Sequence, residues 1–128
     1  MTIHPLKPTL LEPSAKFKNF PQKFNEKNVS GFWRWAFSDL LQNTTRGILA
    51  EYIVAVLLGI DDKPRNPWES FDLHLRDGRK VEIKTISYLQ AWAQQKLSIP
   101  RVMLVPKRFW DPDTNVMEKH PLLIRIYT

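Results

Sequence analysis

The chain of 128 residues contains no cysteine. This excludes disulfide bonds, a thiolate nucleophile and any zinc site built on sulfur. Histidine is scarce as well: His4, His74 and His120 stand far apart and show no ligand spacing. A bound metal would therefore be held by oxygen. No apolar run approaches 18 residues, and Pro5, Pro8 and Pro13 interrupt the few apolar residues of the N-terminal stretch. The reading is that neither a membrane span nor a signal peptide is present, and a cytoplasmic location is expected.

What the chain does have is positive charge. The 19 lysines and arginines exceed the 13 acidic residues, giving a net charge of +6 and a pI near 9.7. Neutralisation of phosphates by Lys and Arg supplies most nonspecific affinity for nucleic acid, so the balance favours a polyanionic partner. At 43% hydrophobic and 25% charged residues, the length suits one globular domain with a single core.

Residues 1–30 carry four prolines and five lysines with little periodicity, and read as an extended basic arm preceding a domain over 31–128. From Gly31, Phe32, Trp33, Trp35, Phe37, Leu40 and Leu41 recur at three- and four-residue spacings, which predicts a short amphipathic helix ending near Asn43, its aromatics expected in the core rather than stacking on bases. Asn43, Thr44 and Thr45 then offer N-caps to a second helix over Arg46–Leu58, closed by Gly59 in a left-handed C-cap. Its interior is apolar on every face except at Glu51, so it is expected to be covered on most sides. An unpaired buried carboxylate costs several kcal/mol, so Glu51 must sit by a cation, donate a proton or lie at an edge that opens to water; a salt bridge to a core-edge arginine such as Arg46 stands against a functional role.

After a proline-containing connection (61–67), Phe71, Leu73 and Leu75 alternate with Asp72, His74 and Arg76. Val81 and Ile83 alternate in the same way with Glu82 and Lys84. These patterns predict two strands joined at Asp77-Gly78. A two-residue loop would set Leu73 beside Glu82 and mix polar with apolar positions. A three-residue loop, Arg76-Asp77-Gly78, with Gly78 left-handed, pairs Leu75 with Arg79, Leu73 with Val81 and Asp72 with Glu82. Two carboxylates facing one another repel unless a cation lies between them. Mg2+ (or Mn2+) would satisfy them, with Asp72, Glu82 and the Ile83 backbone carbonyl as oxygen ligands. Lys84 points to the same side as Glu82, where an ammonium can orient an attacking water and offset charge on a phosphorane. Further along, Tyr88–Lys96 reads as a short helix, Ile99–Val105 as a strand, Trp110–Asn115 as a loop and Leu122–Tyr127 as a strand.

The order of Glu51 in a buried helix, Asp72 in a strand and then Glu82-Ile83-Lys84 resembles the PD-(D/E)XK, or restriction-endonuclease-like, nuclease superfamily. A more specific likeness covers Phe32 to Asn115. There Trp35-Ala36-Phe37-Ser38-Asp39-Leu40-Leu41, Asn43-Thr44-Thr45-Arg46-Gly47, Ala50-Glu51-Tyr52 and Val81 to Trp92 are similar to an uncharacterised bacterial and phage branch of that superfamily. The resemblance implies an α/β (α+β) fold with a mixed β-sheet flanked by helices, and Mg2+-dependent hydrolysis of DNA by an endonuclease. It implies metal binding by Asp72 and Glu82, catalysis by Lys84, an assisting carboxylate at Glu51, and a contact near the scissile group from Gln90. Two departures stand out: Ser70-Phe71 occupies the place of the motif's proline, and the sheet is expected to be C-terminally truncated at Thr128. A homodimer is compatible with cutting both strands of a duplex. The alternative is a noncatalytic DNA-binding or subunit module that retains the fold.

Overall fold

The computed structural model describes residues 1, 3 and 6–101, together with the backbone of the strands within 108–127 (108–111, 116–119 and 123–127). The protein is a small mixed α+β chain. Its described elements are a 3-10 turn at Gln22–Phe24, helices α1 (Val29–Phe37) and α2 (Asn43–Leu57), and strands β1 (Leu73–His74), β2 (Lys80–Lys84), β3 (Arg108–Asp111), β4 (Val116–Lys119) and β5 (Leu123–Tyr127). One sheet has the order β1-β2-β5, with β1 antiparallel and β5 parallel to β2, and a second pairs β3 with β4.

Within the N-terminal stretch, residues 13–30 double back on themselves. The Val29 and Ser30 N–H groups donate to the Ala15 and Pro13 carbonyls, each at 3.0 Å. Phe17, Phe20 and Phe24 gather their rings around the 3-10 turn, with centroids 5.1–6.2 Å apart. Asn28 caps α1, its side chain accepting from the Gly31 N–H at 2.9 Å. The helix thus begins two residues before Gly31 and stops at Phe37, well short of Asn43. Asp39 explains the stop: its Oδ1 accepts from the N–H groups of Leu41 and Gln42, and such a local side-chain bond diverts the backbone from the helix. The aromatic stripe is not the core expected of it: Phe32, Trp33, Trp35 and Phe37 are all exposed, and Val29 is the buried residue of α1.

Helix α2 also starts earlier than its apolar run suggests. Gln42 rather than a residue of 43–45 is the cap, its Oε1 accepting from the Thr45 N–H at 2.8 Å and from the Thr45 hydroxyl at 3.2 Å. Its end is as expected. Gly59 (φ +64°) follows the helix, its N–H donating to Val56 and that of Ile60 to Ala55, the double bond of a Schellman ending. Only one side of α2 is covered. Ala50, Glu51, Val54 and Ala55 are buried, while Tyr52, Ile53, Val56, Leu57 and Leu58 are exposed. Apolar composition alone could not tell which side the sheet would cover.

The core forms where α2 meets the hairpin. Ala50 and Val54 pack against Val81 and Ile83, with Leu73 and Leu75 at the margin. Burying each branched side chain there is worth about 1.5–3 kcal/mol. The odd-numbered residues of β2 thus face α2, and Lys80, Glu82 and Lys84 take the other face. The hairpin has the three-residue-loop register: Leu73 pairs with Val81 and His74 with Lys80. The Leu75 N–H donates to Arg79 at 2.8 Å, and the Gly78 N–H to Leu75 at 3.0 Å. Gly78 has φ +88°, which an L-residue adopts only at a cost of about 1–2 kcal/mol. Gly78→Ala should lower stability by that amount, visible as a reduced urea midpoint with unchanged m-value.

The turn carries its own ion pair, Arg79 Nη2 to Asp77 Oδ2 at 2.7 Å. That hydrogen bond, with the Arg79 backbone N–H, holds the Asp77 carboxyl below its ordinary value of 3.8. A depressed carboxyl contributes stability above its unfolded value and loses it as pH falls through the folded one. The Asp77 resonance in an NMR titration should therefore have its midpoint below 3.8, and return toward the ordinary value in Arg79→Gln.

Further along, the helix read over Tyr88–Lys96 is absent. Residues 87–98 form an irregular loop held by side-chain bonds from Gln90 and Gln94. Trp110 and Asp111 belong to β3 rather than to a loop, and 112–115 lie outside the described residues, as do 102–105 of the strand read over Ile99–Val105. The terminal strand is present as β5, in register with β2 from Lys80↔Leu123 to Lys84↔Tyr127. No helix among the described residues is long and apolar enough to cross a membrane.

Candidate active site

The site residues converge where β1 ends. Beyond Leu73 the backbone leaves the ladder: the Asp72 N–H turns to the Val81 carbonyl at 3.0 Å, and the Asp72 Oδ2 accepts the Ile83 N–H at 2.5 Å. A carboxylate thus takes the place of the ladder's next carbonyl. In a strand the N–H and C=O of one residue leave on the same edge, so the Ile83 carbonyl emerges beside Asp72, past the end of β1. The expected pairing of Asp72 with Glu82 is therefore not made, because the ladder ends at Leu73↔Val81; Glu82, the next residue of β2, is 2% exposed. Lys84, two residues on and half-exposed, places its Nζ on Glu82 Oε1. The Asp72, Glu82, Ile83 and Lys84 of the sequence reading therefore lie together at one strand end.

Glu51 is buried on α2, and its partner is Arg65, not Arg46. The Arg65 Nε donates to Glu51 Oε2 and its Nη2 to Oε1 at 2.9 Å, a bidentate fork. This bond, more than any other influence, raises the Arg65 pKa, and the charges of Glu51 and Asp72 add to it. Arg65 thus lies in the field of two of the site's carboxylates. A buried carboxylate required a cation, but nothing in the sequence spacing pointed 14 residues ahead. The available signal was an arginine held between Pro64 and Pro67, whose fixed backbone angles limit where it can go.

Arg46 serves elsewhere. Its Nη1 donates to the Leu41 carbonyl (3.1 Å) and to Gln90 Oε1 (3.4 Å), and its Nη2 to Asn43 Oδ1 (3.0 Å). Gln90 in turn donates from Nε2 to the Ser87 carbonyl (2.9 Å) and Ser98 Oγ (3.2 Å). Both amide hydrogens are thereby engaged. Gln90 ties the 87–98 loop to the start of α2, and this is the arrangement in which the structure holds it.

The donor set suits a hard divalent cation. Mg2+ is commonly held by one or two carboxylates with waters completing its octahedron, and Asp72, Glu82 and the Ile83 carbonyl are all oxygen donors at one strand end. Among the described residues no group of three His, Cys, Asp or Glu side chains forms a ready cage, which that coordination habit does not require. Taken together, the fold and site define a mixed α+β chain with a carboxylate pair and a lysine at a hairpin's open end. The chain matches no protein-family model, no curated protein and no solved structure.

Proposed function

We propose that the chain is a metal-dependent DNA endonuclease with a restriction-endonuclease-like fold, hydrolysing phosphodiester bonds through a PD-(D/E)XK site. The observation that carries this reading is the hairpin end, where Asp72, Ile83, Glu82 and Lys84 come together. A solvated hairpin face of alternating charge would not need to bury Glu82.

Asp72, Glu82 and the Ile83 carbonyl would hold Mg2+ or Mn2+, which supplies Lewis-acid polarisation of the phosphoryl oxygen and a more acidic water. Lys84 is placed to orient the attacking water and to offset charge gathering on the phosphorane. Asp72 is fixed by the Ile83 N–H, so its second oxygen can be presented with little loss of rotamer freedom. The net charge of +6 favours approach of the phosphate backbone. A homodimer would supply two such sites to the two strands of a duplex.

The noncatalytic DNA-binding module is favoured by one specific observation: Glu82 and Glu51 already have cations of this chain, Lys84 and Arg65, beside them. Incubation of supercoiled plasmid and linear DNA with the protein, in Mg2+ and then in EDTA, separates the two readings. The nuclease reading expects nicked or linear product that disappears in EDTA. Intact DNA at every Mg2+ and Mn2+ concentration, with folded protein bound to it, would leave the binding module.

A further inference from the structure

Arg65 has more donors than its known partner uses. A guanidinium carries five N–H groups in a fixed planar fork. The bidentate bond to Glu51 takes one from Nε and one from Nη2, leaving three, two of them on Nη1. Among the described residues those three have no partner. The side chain is 40% exposed while that of Glu51 is 10% exposed, so the buried carboxylate holds a guanidinium that is itself partly open to solvent. Glu51 sits on α2 beside Ala50, which packs on Val81 and Ile83 of the hairpin, and the charge of Asp72 is felt at Arg65.

A carboxylate that serves only to neutralise an arginine could do so on the surface. Here it is buried in α2, in the same stretch of helix that packs on Val81 and Ile83, so the guanidinium is referenced to the rigid core rather than to the 61–67 connection that bears it. An arginine held along one edge by a carboxylate, with three N–H donors left over, has the donor geometry that a tetrahedral oxyanion accepts. Beside two carboxylates, such an oxyanion would otherwise be repelled.

We propose that Arg65 is a phosphate-binding residue of the site, positioned for that role by Glu51, and that its ligand is a backbone phosphate of the nucleic acid. The inference rests on the nuclease reading for its substrate class. It changes the part played by Glu51, which acts through Arg65 rather than on the reacting atoms.

The test is the salt dependence of binding to a short DNA duplex, followed by fluorescence anisotropy in EDTA, where no cleavage occurs. Each phosphate contact contributes about 0.9 to the slope of log K against log salt concentration on duplex DNA. Arg65→Gln should reduce the slope by about that amount, and Arg65→Lys, which keeps the charge, should restore it. The double variant Glu51→Leu with Arg65→Met leaves no buried charge unpaired and guards against a folding defect; it should show the same reduction. Arg79→Gln, at the turn end of the hairpin, should keep the wild-type slope. An unchanged slope in Arg65→Gln and in the double variant would overturn the proposal, as would failure of the wild type to bind DNA. Unchanged slopes with Mg2+-dependent cleavage would remove Arg65 from a site that is still a nuclease. A reduced slope without cleavage would keep the phosphate contact and discard the nuclease.

Discussion

Arg65→Ala is expected to destabilise the protein by about 3 kcal/mol. Removing one partner of a buried ion pair costs about 3–5 kcal/mol, because it strands the other charge. The lower end applies because Arg65 is partly exposed, and only Glu51 is deeply buried. Against a total stability of about 5–15 kcal/mol for a domain, such a loss is large. The attribution to a stranded carboxylate has its own check. Glu51→Leu combined with Arg65→Met should recover most of the loss in a urea titration, since replacing both charges with apolar groups is often neutral. A loss of less than 1 kcal/mol in Arg65→Ala, typical of an exposed pair, would contradict this account of the contact.

Asp72→Asn is the second change with a large expected effect, at least about a hundredfold loss of cleavage if Asp72 is a metal ligand. Its value lies in what it leaves alone. Asparagine keeps a side-chain carbonyl that can accept the Ile83 N–H, so the hairpin end should hold its geometry, and removing one of two neighbouring carboxylates relieves repulsion. Without metal the variant should therefore melt at or slightly above the wild-type temperature. Mg2+ at a hundred times its Kd stabilises a folded protein by about 2.7 kcal/mol, several degrees for a chain of this size. That shift should appear in the wild type and shrink in the variant. Equal shifts in both would place the cation elsewhere.

The hairpin was the most legible part of the fold. Its loop residues and the alternation on either side admit a single register that keeps apolar residues together, and Gly78 has the positive φ that register needs. Gly59 marked the end of α2 for the same local reason. The parts that were not legible depend on partners distant in sequence. The covered side of α2 was set by Val81 and Ile83, and its apolar run gave no sign of which side that would be. The apolar periodicity runs on through Leu40 and Leu41 and so extends helix α1 too far, whereas the Asp39 side chain accepts the N–H groups of Leu41 and Gln42 and ends it earlier. Of the candidate site, Glu82 and Lys84 could be placed by counting along β2, whereas Asp72 falls just outside β1, where its side chain and not its backbone takes the Ile83 N–H. The partner of Glu51 could not, because an arginine in a proline-flanked connection has no periodicity to read.

In the proposed reaction Lys84 and its neighbouring carboxylates carry out hydrolysis. This role is tested most directly by comparing wild type and Lys84→Ala for plasmid cleavage in Mg2+, with duplex binding measured on the same samples and folding checked by thermal melt. Cleavage by the wild type, none by the variant, and binding that differs by no more than the loss of one surface charge are expected. Equal cleavage by the two folded proteins, or none by either, would contradict it.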